Sequence, residues 1–175
     1  GYMVYRSDPF RREMAAAGIR VAFVEEPDFR RRVEALRSGA CDIAVMTLDS
    51  YLLNGGGAGW PGVITHVIDE SNGGDAILAP ARVRNMDDLN RPGVEGGFVG
   101  FSPSEFLLRS QITHFRLETL RGSLDRHRRS DIREVYRDFV AGKLDYAVLW
   151  EPEATKAATA LQGAHVLMDT RRAQG

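Results

Sequence analysis

The segment DFVAGKLDYAVLWEPE, residues 138–153, reads as the end of a helix, a glycine stop at Gly142, an Asp turn and a buried strand. Tyr146 to Leu149 then runs with no turn signal into Trp150, Glu151 and Pro152. A large aromatic and a carboxylate stand where a strand could simply end. A second segment, ALRSGACDIAVMT at 35–47, echoes the first at a constant offset of 103 residues. Gly39 matches Gly142, Asp42 matches Asp145, Ala44 matches Ala147 and Val45 matches Val148. The helical faces upstream agree too: Phe29, Val33 and Leu36 stand against Ile132, Tyr136 and Phe139. Two accounts fit the echo. It is either the ordinary helix–turn–strand unit of α/β proteins or the mark of two lobes of similar build.

Outward from these segments, strand and helix patterns alternate. Period-two or apolar runs predict strands at 19–26, 42–47, 63–71, 74–79, 97–101, 145–150 and 164–169, with 42–47 buried on both faces. Helices are expected from an Asp8 cap with Pro9 at the first turn, from Asp28, over LDSYLL, from Ser102 with Pro103, from Ser130 or Asp131, and over PEATKAATAL. A glycine loop follows LDSYLL, and NMDDLNRPG is a short helical turn. This alternation predicts an α/β architecture with largely parallel pairing.

Composition narrows the function classes. The 175 residues are 43% hydrophobic and 27% charged, with a net charge of −1, which carries no nucleic-acid footprint. No apolar run is long enough to span a membrane. Cys41 is the only cysteine, so no intrachain disulfide or cysteine metal site is expected. The four histidines are scattered without ligand spacing, the only lysines are Lys143 and Lys156, and no nucleophile motif is present. Catalytic residues, metal and cofactors are therefore expected to be absent. The basic run DRHRRSD, 125–131, reads as a solvated loop.

In α/β sheets, ligands bind beyond the carboxyl ends of parallel strands. That singles out Thr47 and Asp49 after the first predicted strand, and Trp150 and Glu151 after its echo. Trp150 offers a flat face for a planar or cationic group, and Glu151 a charge-assisted acceptor. The plainer alternatives are that Asp49 caps the next helix, that Trp150 is core, and that Glu151 opens a helix. Ser102 and Ser104 stand at a helix start, where free N–H groups favour an anion. Ser102 with Glu105 also has capping-box spacing. Ser71, Asn72, Gly73 and Gly74 suit a turn or a hinge.

The stretches ALRSGACDIAVMTLDS, VIDESNGGDAILA, SPSEFLL, DFVAGKLDYAVLWEPE and HVLMDTRRAQG together resemble the type 2 periplasmic solute-binding proteins, in the group of nitrate, sulfonate and thiamine-pyrimidine binders of ABC transporters. The pattern is similar to a branch joined to an outer-membrane-type peptidoglycan-binding domain. The resemblance implies a two-lobed α/β fold that closes by hinge motion. It implies a partial first lobe at 1–74, a second lobe at 75–168 and a return crossover at 169–175, with part of the first lobe supplied by segments outside this sequence. It further implies ligand contacts at Thr47, Asp49, Ser71, Asn72, Ser102, Ser104, Trp150 and Glu151, with hinge glycines Gly73 and Gly74. The expected ligand is a small zwitterion, anion or nitrogen heterocycle. The expected partners are a transporter permease or an attached envelope domain, and the expected location is the periplasm or cell envelope. Two alternatives share the scaffold: an effector domain of a transcription regulator and a pyrimidine-synthesis-like enzyme.

Overall fold

The structure is a computed structural model that describes residues 5–55 and 59–174. Its centre is a five-stranded sheet in the order β3-β2-β4-β1-β5, made of β1 (Asp75–Ala79), β2 (Gly96–Val99), β3 (Arg128–Arg129), β4 (Tyr146–Trp150) and β5 (His165–Asp169). The seven α-helices among the described residues are α1 (Asp8–Ala16), α2 (Phe29–Arg37), α3 (Leu48–Gly55), α4 (Pro103–His114), α5 (Glu118–Ser123), α6 (Ile132–Val140) and α7 (Glu153–Ala160). The α/β class holds, but the sheet is mixed rather than largely parallel. β2 runs parallel to β3 and β4, while β1 runs antiparallel to both β4 and β5.

Alternation along the strands builds two cores. Ile77 and Ala79 of β1 join Tyr146 and Val148 of β4 on one face, under Leu107, Leu108 and Ile112 of α4 and Leu120 of α5. Ala76, Leu78, Ala147 and Leu149 face the other side, under Val135 and Phe139 of α6 and Ala154 and Ala157 of α7. Helices cover both faces, which is why the β4 sequence is continuously apolar. The α6 apolar stripe selects this position, Asp131 caps the helix through Arg133 N, and Gly142 ends it at φ 72°.

One close approach locks the sheet. A Cβ on Gly96 would fall 2.1 Å from the Tyr146 ring, which is fully buried. The Tyr146 hydroxyl pairs with His127 Nδ1 at 2.7 Å, and Arg126 Nε donates to His127 Nε2 at 3.1 Å. An acceptor at Nε2 places the imidazole proton on Nδ1. Burial first, then the Arg126 charge, lowers the His127 pKa, and burial raises that of Tyr146. The run 125–131 is therefore no solvated loop: His127 is fully buried and Arg128–Arg129 form the edge strand.

The N-terminal part departs most from expectation. Residues 19–26, 42–47 and 63–71 form no strand among the described residues. A strand needs a hydrogen-bonded neighbour, and among the described residues none pairs with them. Instead, the Val45 carbonyl accepts from Arg32 Nη1, and Ile43 is 81% exposed rather than buried on both faces. Val33 is the one buried large hydrophobic among described residues before Ala76, so this part has little core of its own. Its three helices do form where expected, with one shift of a cap. Ser7, not Asp8, caps α1 through Phe10 N, while Asp28 caps α2 as expected. The glycine loop after LDSYLL falls partly on residues 56–58, outside the described residues.

Candidate functional site at the sheet edge

The topology gathers four strand ends at one edge. Parallel β2 and β4 finish there at Val99 and Trp150. Antiparallel β1 begins there, with Asp75 opposite Trp150, and β5 ends there, with Asp169 opposite Ala76. This is the carboxyl edge at which α/β sheets take ligands. Ser102, Ser104, Trp150, Glu151 and the 71–74 turn all lie along it.

The two chain passages leaving the edge are tied together. Gly73 N donates to Thr170 Oγ1 at 2.9 Å, Thr170 N to Asp75 O at 3.0 Å, and Glu151 N to Gly74 O at 2.9 Å. Arg171 Nε donates to Asn72 Oδ1 at 3.1 Å, and Ser71 Oγ lies 3.0 Å from Thr170 Oγ1. Ser71 and Asn72 thus bridge the passages through their side chains. Gly73 sits at φ 86°, which a side chain would strain.

Trp150 is half-buried at the end of β4 and belongs to neither core cluster. Glu151 has a structural role. Its carboxylate accepts from Thr155 N at 3.2 Å and Thr155 Oγ1 at 2.8 Å, capping α7.

The start of α4 differs from a capping box. Ser102 is fully buried, but its Oγ donates back to Val99 O at 2.6 Å instead of accepting from the helix. Glu105 reaches past Ser102 to Phe101 N at 2.7 Å. That carboxylate also accepts from Arg109 Nε at 2.8 Å and from Arg128 Nε and Nη2 at 3.1 and 2.6 Å. The tight turn leaves Phe101 at φ 59°. Ser104 is fully buried, and its Oγ has no partner among the described residues. An orphaned buried hydroxyl costs about 1–3 kcal/mol, so a native site retains one for a reason.

Helix α3 meets this edge at both its ends. Thr47 Oγ1 donates to Ser50 Oγ at 2.8 Å, which uses it locally. Asp49, on the first turn, lies close enough to act on Asp75. Burial, and then the Asp49 charge, push the Asp75 carboxyl up to about 6. At the other end, Asn54 Nδ2 donates to Phe101 O at 3.0 Å, and Asn54 Oδ1 has no partner among the described residues. Asp75 and Asn54 are the residues that sequence reasoning missed. GGD at a strand start was the one available hint of the first. Nothing local distinguishes the second.

The edge is therefore polarised. Asp49 and Asp75 lie near the chain passages, and at the far end the α4 start holds the buried Ser104 hydroxyl beside Arg109 and Arg128, both paired with Glu105. Among the described residues, no group of three or more His, Cys, Asp or Glu is placed to hold a metal. Two surface hollows, of about 600 and 220 Å³, lie beside Arg11, Ala15 and Phe23, and beside Ser110, His114, Met168 and Arg172 next to the end of β5. In comparison with known proteins, the chain matches no protein-family model and no curated relative.

Proposed function

We propose that this chain binds a small polar organic solute between α3 and the carboxyl edge of the sheet, as one lobe of a hinged two-lobed binding protein does. The convergence of strand ends at one edge, with the partly exposed Trp150 at the end of β4, carries the reading. The resemblance to type 2 solute binders points the same way. Polarity at the edge favours a zwitterion: a protonated nitrogen near Asp49 and Asp75, and an anionic or acceptor group at the α4 N-terminus beside Ser104. Trp150 supplies the stacking face. In this reading no bond is made or broken. The solute passes to a transporter permease or is sensed by an attached envelope domain, in the periplasm or cell envelope.

A thermal-shift screen against amino acids, sulfonates, nitrate, polyamines and pyrimidines tests it. At one hundred times its Kd a ligand adds about 2.7 kcal/mol, a rise of roughly 5–10 °C for a chain this size. Trp150→Ala and Asp49→Asn are expected to weaken any hit at least tenfold. Unchanged affinity in both would refute the site, and a flat screen would refute solute binding.

A further inference from the structure

Phe101 is held by two sets of groups that come from different parts of the chain. From the sheet side, Glu105 accepts its N–H, and the Arg128 guanidinium lies 4.9 Å from its ring centre. Arg128 is itself fixed by two bonds to Glu105. These contacts hold Phe101 at a positive φ that non-glycine residues rarely adopt. From the N-terminal side, the Arg30 guanidinium of α2 lies 4.4 Å from the same ring, and Asn54 of α3 donates to the carbonyl. One residue thus receives two helices through two different groups.

Of the helix and strand pairings with substantial contact, α3 against α4 alone links residues 5–55 to the sheet. A second attachment among the described residues is the knot of 71–75 with 170–171. A knot where the chain crosses and a clip at one further point is the layout of a hinged device. The clip is also breakable. Arg30 keeps 60% of its side chain in water, and its ion pair to Asp28 is long at 3.8 Å.

We propose that Phe101 is a latch that clips α2 and α3 onto the sheet edge, and that releasing Arg30 and Asn54 lets these helices swing about the 71–75/170–171 knot and expose the edge. The latch rests on the two-part, hinged reading above but not on the identity of a solute.

Pulsed spin-label distances test it in the full chain with Cys41→Ser, labelled at Arg31→Cys on α2 and Arg133→Cys on α6. The parent should show one dominant distance. Arg30→Ala should add a second population, and Arg30→Ala with Asn54→Ala should raise the open-to-docked ratio by roughly tenfold or more. Phe101→Gly should do the same, because it deletes the ring while accepting the backbone angle. Amide-exchange protection of β1 and β4 confirms that the sheet stays folded in each. An unchanged distance distribution in the double variant and in Phe101→Gly, with the sheet protected, overturns the latch. If a solute from the screen binds while those distributions stay fixed, the latch alone fails. If the variants open and no solute binds, the latch stands and the solute reading fails.

Discussion

Replacing Glu105 by Gln tests the physics of the site's framework. Glu105 is only 2% exposed, yet it takes four donated hydrogen bonds, from Phe101 N, Arg109 Nε, and Arg128 Nε and Nη2. Gln keeps the shape but removes the charge and turns one acceptor oxygen into a donor facing guanidinium groups. A hydrogen bond to a charged group is worth about 1.5–3 kcal/mol, and breaking one side of a buried ion pair costs about 3–5. The Arg109 and Arg128 side chains keep 44% and 26% of their exposure, so water recovers part of that loss. The expected cost is about 2–3 kcal/mol, a fall in Tm of roughly 5–10 °C. Its pH dependence is a sharper test. Burial raises the Glu105 pKa, but the Arg128 bonds, the Phe101 N–H, the Arg109 bond and the Arg128 charge outweigh it and hold the carboxyl below its usual range. A depressed carboxyl pKa adds stability above the unfolded value, about 4.3, and loses it as pH falls through the folded value. The gap between parent and Glu105→Gln should stay level from pH 7 to 5 and narrow at pH 3. Urea unfolding at the three pH values measures it. A gap under about 1 kcal/mol at pH 7, or one that does not narrow in acid, refutes this account of the α4 start.

Gly96→Ala drives a methyl into the Tyr146 ring and disturbs its bond to His127; overpacking and a lost buried hydrogen bond predict about 3 kcal/mol of destabilisation by urea unfolding. A loss below about 1 kcal/mol would show that the ring can move aside. Asp75 should titrate near 6 by carboxyl NMR, and lower in Asp49→Asn, since burial and then Asp49 raise it. A raised carboxyl pKa adds stability below the unfolded value and loses it as pH rises through 6. Asp75→Asn should therefore flatten the stability profile between about pH 4 and 6 and stabilise at pH 7 by up to ~3 kcal/mol. Titration of Asp75 at or below 4 would remove the paired-carboxylate feature.

Much of the site was legible one residue at a time. The carboxyl-edge rule pointed at Thr47, Asp49, Trp150 and Glu151, and the helix-start rule at Ser102 and Ser104, because strand ends and helix starts are local features. Roles were less legible. The capping alternative describes what Glu151 does here, since Thr155 lies one turn on. Ser102 bonds backwards to Val99 because a fully buried hydroxyl takes the nearest carbonyl. Asp75 and Asn54 could not be ranked beforehand, because what marks them is a neighbour 26 or 47 residues away. His127 looked solvated among arginines until the fold turned it onto Tyr146.

What the sequence by itself determined is what short-range physics controls: the caps at Asp28 and Asp131, the glycine stops, the apolar stripe of α6 and the continuous apolar run of β4. Each depends on groups within about one helical turn or on side-chain alternation. Only the tertiary structure decided which extended segments became strands. ALRSGACDIAVMT and DFVAGKLDYAVLW carry nearly the same local instructions. Yet 146–150 lies between β2 and β1 and pairs with both, while 42–47 forms no ladder with any described residue. A strand's hydrogen bonds are made with distant chain, so no pattern within the segment can supply them.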